Sequence, residues 1–450
     1  MNNTRRRTLA STIIVTLVLV PAVRAQQMAD YTGPVFPHDN ALNMRIDSLP
    51  VHPNSDNYIS SIGANTAIHP DFGTSWDNNG TLEPMGIPYN VVGAGQPLLP
   101  ITFYLYNDES DPGPWPIPSN PFIEGVFDWR STVDGDRHLL VVDSSSHILY
   151  ESGNVFGNAD GTAWQGGCGA IFDLNSDTLR PDTWTSADAA GLPIFPLLIR
   201  YDEVATAMAN GGEIPHAIRF TVQNSQKAYV WPARHFASSS TNTNRPPMGL
   251  RFRLKASFDT TGFSPRMQVI LRTMKKYGMI VADNGGNWFF QGSHDDRWDD
   301  QELNSLKSLH GSDFEAVDIS PWTSRPGFDG NSGAVPSASG TTAVVARAPQ
   351  VPGEFTLGQN WPNPFNPSTT IVYQVAGGMR RGGEGEMGGE RVRLSVYDLL
   401  GREVAVLVNG VQTPGEHRVT FDARSLASGV YLYRLVAGGQ SRSRKLVLLR

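Results

Sequence analysis

Hydrophobic and polar positions alternate with a period of two in many short runs along this chain. Residues 100–106 (PITFYLY), 137–144 (RHLLVVDS), 147–152 (HILYES), 216–222 (HAIRFTV), 228–233 (AYVWPA) and 249–256 (GLRFRLKA) are β-branched or alternating, and Asp, Asn, Gly and Ser turns separate them. That pattern predicts short strands. The period changes in three places. Residues 201–210 follow a strand-like 197–200; 265–277 place Met267, Ile270, Leu271 and Met274 at i, i+3, i+4 and i+7; 299–309 carry a stripe of Leu303, Leu306 and Leu309. These predict amphipathic helices. The whole reads as mainly β: a jelly-roll-like β-sandwich core with a few peripheral helices. Toward the C-terminus, Val392, Leu394 and Val396 alternate with Arg393, Ser395 and Tyr397, and 429–435 repeat the period, so a second, small Ig-like sandwich is expected there.

The two ends carry addresses. Arg5, Arg6 and Arg7 precede an apolar run at 13–20, and Val23 and Ala25 stand where a signal peptidase needs small residues, so 1–25 reads as a removable secretory signal. The run is well short of the roughly 20 residues that span a bilayer, and no membrane span is expected after cleavage. At the other end stand NPFNP (363–367), YDLLGREV (397–404), SGVY (428–431) and a Lys-x-x-x-x-Arg ending (445–450). Together they resemble the type A C-terminal sorting domain of the type IX secretion system, over residues 354–450. The resemblance implies the type IX secretion machinery as partner, a secreted or outer cell-surface location, and removal of the domain after translocation. Between the ends, 26–320 is expected to be the β-rich core domain, and 321–353, rich in Ser, Gly, Pro and Ala, a linker. The Gly-rich 377–389 is expected to be a loop insertion, tolerated because loop length costs little.

Charge divides unevenly between these parts. Residues 354–450 carry 12 basic and 8 acidic side chains and the first 25 carry four Arg, which leaves 20 basic against 35 acidic side chains in the core. Such a core repels phosphate backbones, so nucleic acid is excluded as a partner, whereas a neutral glycan or a cation is compatible. Cys168 is the one cysteine; no intramolecular disulfide forms, and the residue is expected to be a small buried one. The core also resembles an uncharacterised family of secreted bacterial proteins, through GDRHLLVVD, YDEVA, HAIRFT, YVWPARH and YGMIVADNGG. That likeness implies no activity.

None of the nucleophile-elbow, zincin, phosphate-loop or EF-hand motifs occurs, so the chemistry rests on constellations. The densest, between Phe127 and Asp173, gathers Asp128, Asp134, Asp136, His138, Asp143, His147 and Glu151 on two neighbouring strands and their turn. A carboxylate and an imidazole there suit general acid/base work on a sugar, with the pair drawn from His138, Asp143, Glu151 and Asp128; the plainer alternative makes 143–146 a polar turn and His138 and Glu151 satisfied strand residues. Trp129, Tyr150, Trp164, Trp184, Trp231 and His235 are candidates for substrate binding, since aromatic faces stack on sugar rings. His38, His52, His69, His235 and His294 stand beside Pro, Asp or Arg, but no pair has ligand spacing, and no metal site is assigned. The run of Asp295, Asp296, Asp299 and Asp300 fits a helix N-terminus better than calcium. The cofactor, if any, is unknown from the sequence. The resulting expectation is an exported glycoside hydrolase or lyase acting on a neutral polysaccharide; the alternatives are a non-catalytic carbohydrate-binding or adhesive protein and a structural envelope protein.

Overall fold

The computed structural model describes residues 28–33, 35–78, 80–337, 356–358, 360, 365–375, 390–398, 402–413, 415–437 and 440–448. The expected signal (1–25) and Gly-rich loop (377–389) lie outside them. The chain divides into two compact units, Met1–Gly340 and Thr341–Arg450. Both are mainly β, as the alternation predicts.

In the first unit the largest sheet has six strands, in the order β1 (His69–Asp71), β14 (Phe289–Gln291), β11 (Ile218–Val222), β13 (Met279–Asn284), β12 (Arg251–Leu254) and β15 (Phe314–Ala316). Alternation gives β11 two unlike faces. Ile218, Phe220 and Val222 turn toward a core that also holds Met267, Ile270, Leu271 and Met274 of a helix, α3 (Pro265–Lys276). Burying each of these side chains is worth about 1.5–3 kcal/mol relative to exposure. Ser264 caps this helix through its hydroxyl and Pro265 occupies its first turn, the chemistry that starts helices. The opposite face of the sheet is polar, carrying Asp71, Gln291 and Arg219 side by side on β1, β14 and β11.

A second sheet runs β10 (Cys168–Asp173), β7 (Ile148–Gly153), β6 (Leu139–Asp143), β4 (Asn90–Val92); a third joins β5 (Ile101–Phe103), β9 (Trp164–Gly166) and β8 (Phe156–Gly157); and β2 (Ser75–Asn78) and β3 (Thr81–Pro84) form a hairpin. A jelly roll is wholly antiparallel, but β1/β14, β11/β13, β4/β6 and β5/β9 pair in parallel. Parallel neighbours need a crossover. That between β11 and β13 contains α3, which is therefore a core element and not a peripheral one.

The helix expectations hold within a turn or so: α1 (Ser55–Ile62) is joined by α2 (Tyr201–Ala209), α3, α4 (Asp300–Ser305) and the single-turn α5 (Ser320–Thr323). Asp299 caps α4, accepting from the amides of Gln301 and Glu302 at 2.9 and 3.2 Å, so the acidic run does mark a helix start. The strand expected at 228–233 does not form. Tyr229 makes one bridge, to Met248, and Pro232 has no N–H to continue a ladder. The expected linker start at Pro321 also falls inside packed chain: Trp322 and Val335 are buried with Ile46, Leu49 and Val317, and Gly333 accepts from the Ala41 amide at 2.7 Å. Composition misled because two large apolar side chains anchor an otherwise Ser/Gly/Pro-rich segment.

The second unit packs β16 (Thr356–Leu357), β17 (Ser368–Val375) and β20 (Gly415–Asp422) against β18 (Glu390–Tyr397), β19 (Glu403–Gln412), β21 (Gly429–Ala437) and β22 (Gln440–Leu448). Apart from the parallel bridge of Phe365 to Leu448, the described pairings are antiparallel. Val392, Leu394, Val396, Tyr433 and Leu435 fill one shared core with Ile371, Tyr373 and Phe421.

Candidate functional site

The first unit contains a cleft of about 780 Å³. Its floor is β1 and β14, where His69 stacks on Phe289 at 4.1 Å between ring centroids. Asp71, one strand position pair beyond His69, reaches the same space. One wall is the β2–β3 hairpin with Trp76 and Glu83; the other is formed by 124–126 and 133–137, with Glu124, Asp134 and Asp136; Asp300, Asn304 and Lys307 close one end. Acidic side chains dominate this lining. Asp300 is tied down, accepting from the Thr74 amide at 3.0 Å and the Thr74 hydroxyl at 2.5 Å.

Two carboxyls in the cleft are perturbed in opposite directions. Burial pushes the Asp71 carboxyl above its ordinary range, and the Glu124 charge adds to that; Gln291 and Arg219 act the other way. Burial would also raise Glu124, but His138 outweighs it and holds Glu124 below the ordinary range. The contact is close: His138 Nδ1 donates to Glu124 Oε2 at 2.5 Å, and its Nε2 donates to the Ala187 carbonyl at 3.2 Å. Both ring nitrogens face acceptors, so both carry protons. Burial disfavours that charge, but Glu124 overcomes it and raises the imidazole to about 9.

Behind the cleft lies Arg219, 1% exposed. Its Nε and Nη2 donate to Asp188 Oδ2 at 3.1 and 2.8 Å, and Nη1 donates to Gln291 Oε1. Burial opposes the guanidinium charge, and Asp188 and Asp283 outweigh it.

None of the ten residues expected at a site lines the cleft. His138 comes nearest, as the partner of Glu124. Glu151 is wholly buried, and its oxygens accept from the amides of Ile194 and Phe195 at 2.7 to 3.0 Å. Burial lifts it to about 7 against the pull of those amides, and it serves as an internal anchor for the turn at 194–197. Asp143 caps the β6–β7 turn, accepting from the Ser145 amide and hydroxyl at 2.9 and 2.6 Å. Asp128 is exposed and accepts from the Arg130 amide at 3.0 Å. The expected pairing of His138 with Glu151 is replaced by His138 with Glu124.

The expected aromatic platform is dispersed as well. Trp129 and Trp164 are buried against each other, 5.0 Å apart. Tyr150 packs on Trp115, Trp184 lies near Arg180, Trp231 donates to the Ser332 carbonyl, and His235 donates to the Ala189 carbonyl at 2.9 Å. The cleft's aromatics are Phe72, Phe289 and Trp76, of which Trp76 is 48% exposed. Among the described residues no group of three or more His, Cys, Asp or Glu has metal-holding geometry, and no helix is long and apolar enough to cross a membrane. Cys168 is half-buried and free, and burial raises its thiol to about 11.

A comparison with curated proteins finds no match to this chain. Its C-terminal unit is different: residues 359–449 match the sequence model described as the secretion system C-terminal sorting domain. The motifs at 363–367 and 397–404 and the β-sandwich that carries them thus belong to a type IX secretion C-terminal sorting domain, and the protein is exported to the cell surface or beyond.

Proposed function

We propose that the exported protein processes a neutral polysaccharide in this cleft, with Asp71 as general acid and Glu124 as the ionised carboxylate that acts as base or nucleophile. The supporting observation is the placement of two carboxyls in one cleft under opposed influences. One, half-buried, holds its proton more tightly than an ordinary carboxyl; the other is kept ionised by a buried imidazolium. Separation of this kind is how a single site runs acid and base roles at one pH. His138 acts here as a positioning residue, through Glu124. Trp76 offers a stacking face, and the acidic lining disfavours polyanionic glycans.

Asp71→Asn and Glu124→Gln keep the shapes of the side chains and remove their proton chemistry. Assayed on a panel of neutral glycans, each is expected to lower reducing-end release about 10²–10⁴-fold, with binding measured by calorimetry nearly unchanged. Cleavage that survives both substitutions overturns the assignment. Binding without cleavage in the wild type supports instead a carbohydrate-binding surface protein, a reading favoured by the exposure of Trp76 and of Leu82 (63%) on one hairpin.

A further inference from the structure

The polar face of the six-stranded sheet holds a row that runs from the interior to the cleft. Asp188 grips Arg219 through two nitrogens. Arg219 stands on β11, which pairs antiparallel with β14 such that Phe220 faces Phe290; Gln291 is therefore its neighbour across the strands. β14 in turn pairs with β1, where Asp71 faces Gln291.

We propose that Gln291, locked by Arg219, is the positioning residue that fixes which oxygen of Asp71 carries its proton. The argument is one of hydrogen-bond polarity. A guanidinium has donors only, so the Gln291 atom that meets Arg219 Nη1 is its carbonyl oxygen Oε1. The amide nitrogen is then left on the side of β1, facing its cross-strand neighbour Asp71, and a bond from it holds the Asp71 carboxyl down against the effect of burial. An oxygen that accepts this bond has a donor already facing it. The Asp71 proton therefore sits on the other oxygen, turned away from Gln291. Without Arg219 the amide is free to rotate and present either atom; with Arg219, itself fixed by the wholly buried Asp188, the orientation is single. Asp188, Arg219, Gln291 and Asp71 thus form a relay of fixed polarity that ends in the cleft. The other charged groups acting on Asp71 are Glu124 and Asp136.

This inference rests on the reading of Asp71 as the cleft's acid, and its test needs no substrate, so the two fail separately. The full-length exported chain, labelled with ¹³C in its Asp carboxyls, is titrated by NMR, with Asp71→Asn identifying the Asp71 signal. Gln291→Leu keeps the volume and removes the donor. Its Asp71 transition is expected to move to higher pH. Gln291→Glu retains an acceptor for Arg219 but presents a second one to Asp71, so the two carboxyls must share a proton, and the Asp71 transition is expected to rise further than in the Leu variant. An Asp71 transition unchanged in both variants, or lowered in the Glu variant, overturns the relay. Gln291 is half-buried on β14, between β1 and β11, and melting curves of both variants report whether the fold is intact.

Discussion

The two units of this protein solve the same problem, an all-strand core, with opposite means. In the C-terminal unit all described strands but the two-residue β16 have eight to ten residues and pair almost wholly antiparallel, and its described buried polar side chains are Asn360, Thr369 and Ser395, all uncharged. In the first unit most strands have three to six residues, four pairings are parallel, and Arg137, Arg180, Arg200, Arg219, Arg234, Arg251 and Arg253 are all buried. A long antiparallel ladder carries its register in the local alternation. Short strands cannot, and the first unit specifies its arrangement through charged groups placed far apart in the sequence. Buried charge is tolerated only when paired or hydrogen-bonded: Arg180, Arg219 and Arg253 meet carboxylates, Arg137 and Arg251 meet backbone carbonyls, and each contact constrains which segments come together. In Asp188–Arg219 and Glu124–His138 those constraints converge behind one cleft.

The contrast is broken most severely by removing one partner of a buried pair. Arg219→Ala leaves Asp188, wholly buried, without its cation. Loss of a buried partner costs about 3–5 kcal/mol. Hydrogen exchange read by mass spectrometry is expected to show protection lost in Ile218–Val222 and Met279–Asn284, with Ser368–Val375 and Gly429–Ala437 of the other unit unaffected. Equal loss in both units would mean that the buried pair does not act on the first core by itself.

A smaller effect comes from pH. His138 is lifted to about 9, above its ordinary value of about 6.5, so the folded state binds its proton more tightly than the unfolded chain does. Stability from this group is fully present below about pH 6.5 and is lost as pH rises through about 9, on the order of 3 kcal/mol over the window. Denaturant midpoints of the first unit are expected to fall between these limits. His138→Asn should start lower and lie flatter there; a slope identical to wild type would remove His138 as its source.

The sequence discloses these two cores unequally, for a physical reason. In the C-terminal unit Val392, Leu394 and Val396 announce their face by alternation, and all three are buried as that predicts. The same rule applied to β11 places Arg219 and Thr221 toward water. They are buried instead: Arg219 meets Asp188, 31 residues earlier, and Thr221 donates to the Gly286 carbonyl, 65 residues later. His138 was conspicuous beside its neighbouring acids. Its actual partner, Glu124, sits in an unremarkable loop 14 residues earlier, and Asp71 lies on a strand of three residues, too short for any period to show. What marks Asp71 locally is the HPD run, where His69 and Asp71 share a face. Only the pairing of β1 with β14 turns that into a site.

The mildest test uses a charge pair in the other unit. Arg393 and Glu403 meet on the outer face of the sheet formed by β19, β18, β21 and β22 at 2.8 Å, with side chains 45% and 32% exposed. Both groups keep much of their hydration, and holding two long side chains in one geometry costs entropy that offsets the attraction. Exposed pairs of this kind contribute little to stability. Arg393→Ala is therefore expected to shift the denaturation midpoint of the C-terminal unit barely beyond error, and any shift should vanish as salt screens the pair. The comparison with Arg219→Ala holds the residue type constant and sets a half-exposed pair against a buried one. A loss at Arg393 as large as that at Arg219, persisting at high salt, would show that burial is not what separates the two units and that charge pairs specify the sandwich too.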